Sequence, residues 1–135
     1  MSYKRPSERN KYYLPPEIYD SVVTFCRCYP VWVKQLETMP DSSKAITYDH
    51  DRVQSSNSYD PTSELAFKRV ELERKVDLIR TTAMIVDSDM WEWILKYVTR
   101  KDQTIDGLIA QGMPCSKNTF INLKSYFYYL LSKRM

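Results

Sequence analysis

Apolar positions recur along most of the chain three and four residues apart, the spacing of one face of an α-helix, between segments that are polar throughout. Ile18, Val22, Phe25, Cys26 and Tyr29 form the first such stripe. It opens at Pro15-Pro16-Glu17, where proline suits the first helical turn and an acid suits the positive end of the helix dipole. Pro30 breaks or kinks it, because proline lacks the amide donor a helix interior needs, and Val31, Trp32, Val33, Leu36 and Met39 continue as a second short helix. A longer stripe, Leu65, Leu72, Val76, Ile79, Ala83 and Val86, follows Asp60-Pro61, which supplies an N-cap and a first-turn proline. No Gly or Pro interrupts the chain from there to about Val86. Arg69 interrupts the seam, and Lys68, Glu71, Arg74, Lys75 and Asp77 mark a charged face. The pattern predicts one long amphipathic helix that serves a core and also suits pairing with a second copy. Asp87-Ser88-Asp89 predicts a break and a new cap. Beyond it Met90, Trp91, Ile94 and Val98 share one helical face and Trp93 and Tyr97 another, so this short helix is expected to be buried on two sides as a joint.

Between these elements the pattern divides the chain. Residues 1–14 are polar and basic with scattered Tyr and no periodicity, and are expected to form a mobile basic arm. Residues 15–99 read as a helical bundle or interaction region that carries an exposed Ser-, Asp- and Asn-rich loop over residues 40–60. The fold class expected is all-α: a small helical bundle with one long helix and a C-terminal helix-turn-helix over residues 100–135.

That last region carries the most specific pattern. Thr104 caps a short helix through Ile105, Leu108 and Ile109, and Gly112 falls where a helix C-terminus favours positive φ. Met113-Pro114-Cys115 then leads to Ser116, whose hydroxyl is placed to cap a second helix running to the end. A helix, a glycine turn and a capped helix make a helix-turn-helix pattern. On the second helix Phe120, Leu123, Phe127, Leu130 and Leu131 share one face, assigned to the core. The opposite face of its first half bears Lys117, Asn118, Ile121, Asn122 and Ser125. Such groups read base edges in a major groove, Asn being suited to a bidentate bond with adenine. Arg100, Lys101, Ser116, Lys124, Lys133 and Arg134 are expected to meet phosphates. Tyr126, Tyr128 and Tyr129 read as packing or dimer surface rather than as stacking platforms for bases.

Charge adds to this picture. The chain has 135 residues and a net charge of +3, yet residues 1–95 hold 13 basic and 15 acidic side chains while residues 96–135 hold 7 and 2. The positive charge therefore belongs to the last third, as expected of an end that faces nucleic acid. Composition excludes several classes. Two glycines, Gly107 and Gly112, are too few for a P-loop or a dinucleotide fold. Three cysteines without a CxxC and a single histidine do not assemble a zinc knuckle, and buried thiols are the simpler reading. Asp49-His50-Asp51 reads as a solvated charge cluster, because adjacent side chains point apart. No spaced acid pair, Gly-rich loop or nucleophile-base set is present, so neither an enzyme nor a cofactor is expected. No apolar run reaches the ~18 residues of a membrane span and the first residues lack a signal sequence, which implies a cytoplasmic location.

The stretch Phe25-Cys26-Arg27-Cys28-Tyr29-Pro30-Val31-Trp32-Val33-Lys34-Gln35-Leu36-Glu37 resembles the "YP…KQLE" segment near the start of RinA-type phage late-gene transcription activators. The order of parts is similar: a polar loop, a long helix opening near Thr62-Ser63-Glu64-Leu65-Ala66, an aromatic helix, and a terminal domain like sigma-factor region 4. The "SxxT" of that domain corresponds to Ser116-Lys117-Asn118-Thr119. The resemblance implies a phage or prophage regulator in a bacterial host cell that binds double-stranded DNA and activates late genes through host RNA polymerase or its sigma factor. A homodimer would add a second half-site. Two other classes fit the same basic helical chain: a small phage protein that inhibits a host protein or ribonucleoprotein complex, and a DNA-packaging adaptor.

Overall fold

A computed structural model describes residues 6–39 and 61–135. Among these residues all regular structure is helical: α1 (Pro16–Arg27), α2 (Tyr29–Thr38), α3 (Pro61–Val86), α4 (Trp91–Val98), α5 (Ile105–Ala110) and α6 (Lys117–Arg134). The expected all-α bundle with one long helix is what the chain forms. The loop expected at 40–60, with Asp49, His50 and Asp51, lies outside the described residues, as do Met1 to Arg5.

The punctuation works as its chemistry dictates. Pro16 sits in the first turn of α1 with Glu17 beside it, and Pro30 is the second residue of α2, which only Cys28 separates from α1. After α3, the Asp87 carboxylate accepts hydrogen bonds from the Asp89 and Met90 amides at 2.8 and 2.9 Å, which closes the turn into α4. The face of α1 differs from the expected one. Tyr19, Val22, Val23 and Cys26 are buried and Ile18 is 46% exposed, so the helix is rotated by about a residue toward the aromatic at position 19.

Packing makes α6 the central helix: α1, α3, α4 and α5 all lie against it. The core joins Tyr19, Val22 and Cys26 of α1, Ile79 and Ala83 of α3, Ile94, Tyr97 and Val98 of α4, Leu108 of α5, and Phe120, Phe127, Tyr128 and Leu131 of α6. Edge-to-face ring contacts tie it together, Tyr19 on Tyr128 at 5.3 Å and Tyr97 on Phe120 at 5.4 Å between centroids. Helix α4 touches α1, α3, α5 and α6, which is the joint its two apolar faces predict. Helix α2 has no fully buried residue. It lies along α3 through Trp32, which Phe25 meets edge-on and Lys75 covers, and through Tyr29, whose hydroxyl accepts from Arg80 at 2.8 Å.

The segment before α1 is not the loose arm expected of it over residues 6–14. Leu14 is in the core, and Tyr12 stacks on Tyr126 at 5.1 Å and tilts against Tyr129 at 5.7 Å. Its backbone is turned on itself, with the Asn10 side chain accepting from the Tyr12 amide and the Asn10 carbonyl from the Tyr13 amide. The aromatic surface of α6 supplies an apolar seat that a polar arm with scattered Tyr can use.

Candidate nucleic-acid interface

The region after α4 is built by three local devices. Thr104 accepts a hydrogen bond from the Gly107 amide at 3.0 Å and starts α5. Gly112, at φ +108°, ends it: the Met113 amide donates to the Leu108 carbonyl and the Gly112 amide to that of Ile109, the Schellman arrangement, with Met113 and Leu108 both buried as that motif favours. Ser116 then starts α6, its hydroxyl accepting from the Thr119 amide at 3.2 Å and donating to the Thr119 hydroxyl at 3.0 Å. Lys96 and Gln103 both bond the Gln111 side chain, which pins the end of α5 to α4.

This arrangement leaves one side of the first two turns of α6 projecting, while from Leu123 to Leu131 no residue is exposed. Lys117, Asn118, Ile121 and Asn122 are exposed, as expected of base-reading positions. Ser125 is not: it is 5% exposed, and it cannot reach a groove from there. Lys124, expected on phosphate, is 3% exposed, and burial lowers its amine to about 8. The cause is common to both corrections. A helix clamped by four neighbours and by the arm buries a sector wider than its apolar stripe, so the polar residues flanking Phe127 and Tyr128 go inside.

The other expected phosphate contacts are exposed but dispersed. Lys133 and Arg134 lie about 24 Å along α6 from Lys117, and the Lys133 ammonium sits over the Tyr129 ring. Arg100 lines a cleft with Tyr29, Pro30, Val33, Lys34 and Glu37, on the α2 side. Lys101 is exposed in the turn before α5, and Ser116 is engaged as a cap. Lys117 pairs with Asp106 at 3.6 Å, both ends in solvent, which neutralises part of the positive potential there.

One group was missed. Asn10, Lys11 and Tyr12 line a shallow cleft together with Asn122, which sets a cation and a second amide beside the projecting turns. Its trace in the sequence is that both the arm and the last helix carry tyrosines and basic residues. Among the cysteines, Cys26 is buried and its thiol pKa is pushed up by desolvation, while Cys28 and Cys115 are half-buried. Among the described residues no cluster of His, Cys, Asp and Glu is placed to hold a metal, and no helix is long and apolar enough to cross a membrane.

No protein-family model, curated protein or solved structure matches the chain.

Proposed function

We propose that the chain is a sequence-specific DNA-binding transcription regulator in which α5, the Gly112 turn and α6 act as a helix-turn-helix. The observation that carries this reading is the pair of exposed amides, Asn118 and Asn122, one turn apart on the projecting side of the first turns of α6. Helix-turn-helix proteins read bases with the N-terminal residues of the second helix, and two Asn at that spacing suit adenine edges. The base-contact set is then Lys117, Asn118, Ile121 and Asn122. Lys11 takes the flanking cationic place expected of Lys124. In line with the resemblance of its α2 segment to late-gene activators, the regulator would act for a phage or prophage and touch host RNA polymerase through the α1–α2 side.

Titration of duplex DNA across a salt series tests the reading. Affinity is expected to fall steeply with salt, with a logarithmic slope of about 0.9 per phosphate neutralised. Asn118→Ala and Asn122→Ala are each expected to lose roughly 1–3 kcal/mol of discrimination between a selected site and random duplex. Lys11→Ala should instead weaken all duplexes alike. Salt-indifferent duplex binding, or amide variants with unchanged discrimination, would overturn the assignment.

A further inference from the structure

The apolar seam that the sequence offers for self-pairing, Leu72, Val76, Ile79 and Ala83, is spent on the chain's own core. On the opposite side of α3 a second stripe remains in solvent. Phe67 is 68% exposed, Val70 60% and Met84 40%, and between them lie Arg74, Asp77 and Thr81, all exposed. These six positions alternate three and four residues apart, which is the a/d spacing of a two-helix seam. Their order along the helix is apolar, apolar, cation, anion, hydroxyl, apolar. That order is complementary to its own reverse at the centre, where a cation faces an anion.

We propose that this stripe is the docking surface for a second copy of the chain, with the two α3 helices antiparallel about a two-fold axis between Arg74 and Asp77. In that register Phe67 faces Met84 of the second copy, Val70 faces Thr81, and Arg74 faces Asp77, each contact occurring twice as an isologous interface requires. Charge complementarity selects this occupant and this direction. A parallel pair would set Arg74 against Arg74 and Asp77 against Asp77, which is repulsive. Asp77 borders the cleft against α2 beside Arg69 and Arg80 but has no ion-pair partner among the described residues, and Arg74 holds only the half-buried Glu71 at 3.2 Å, so both are available to the second copy. The stripe is about 26 Å long, small for a stable dimer, so the association depends on protein concentration. The proposal is independent of DNA binding.

Sedimentation equilibrium of the full chain without nucleic acid, over a range of concentrations, tests it. The native chain is expected to pass from monomer to dimer as concentration rises. Arg74→Asp alone and Asp77→Arg alone should each weaken the dimer roughly tenfold or more, because each places like charges face to face. The double variant Arg74→Asp/Asp77→Arg should restore native association, and an equimolar mixture of the two single variants should form a heterodimer. Both substituted positions are on the surface, and circular dichroism checks that each variant remains helical. A native chain that stays monomeric to about 1 mM, as it would if another segment or a different protein covers the stripe, overturns the proposal. So does a double variant that fails to recover.

Discussion

The two long helices, α3 with 26 residues and α6 with 18, dispose of their side chains in opposite ways. Helix α6 carries a lysine and a serine inside, Lys124 at 3% and Ser125 at 5% exposure, whereas α3 carries Phe67 and Val70 outside. Residue type alone would assign these the other way round. What differs is the number of neighbours. Helix α6 is packed by α1, α3, α4 and α5 and roofed by Tyr12, so from Leu123 to Leu131 none of its residues is exposed. Helix α3 lies against α2, α4 and α6 and still leaves Phe67, Val70 and Met84 in solvent. Burial follows position in the assembly first and polarity second.

The largest expected effect exploits this contrast with one substitution made twice. Phe127→Ala in α6 removes a fully buried ring and should cost about 3–5 kcal/mol in urea denaturation. Phe67→Ala in α3, measured at low protein concentration, should change stability by less than about 0.5 kcal/mol. Comparable costs at the two sites would erase the distinction between centre and edge.

Lys124 gives the next effect, and its sign is fixed by linkage. Its amine lies at about 8 in the folded chain against an ordinary 10.5, so between those values the unfolded state binds more protons. Native stability therefore gains from this group as pH rises from about 8 to 10.5. Burial also raises the Tyr97 and Tyr128 phenols, which acts in the opposite direction above pH 10, so the comparison is made against Lys124→Met. That variant should be more stable at pH 7 by about 1–3 kcal/mol, and the difference should close as pH approaches 10.5. A constant difference would mean that the amine is not desolvated. Ser116→Ala, which deletes the cap of α6, should cost about 1 kcal/mol, and amide exchange should quicken in the first turn of α6 while the Phe127 region stays protected.

The boundaries of the helices were legible because each is written in local chemistry: proline at 16 and 30, the Asp87 turn, the Thr104 and Ser116 hydroxyls, and Gly112 at positive φ. The exposed amides at 118 and 122 were legible for a related reason, since they lie in the first turns, before the neighbours close around the helix. Lys124 and Ser125 were not, because a helical wheel locates the centre of a buried sector and leaves its width undetermined. Nor was the seating of Leu14 and Tyr12, which depends on rings far away in the sequence. The stripe of Phe67, Val70 and Met84 is not legible in the sequence, because Arg74 and Asp77 between them give it the pattern of a solvated charged face.

The placement of α6 at the centre also bears on how the chain is made. A ribosome delivers α1 to α5 before it delivers the helix they surround, and Tyr19 emerges long before the Tyr128 it rests on. Until then the earlier helices can meet one another, α3 with α4 and α2 with α3, but lack the rings of α6 that complete the core, so the contacts that span nearly the whole length form last.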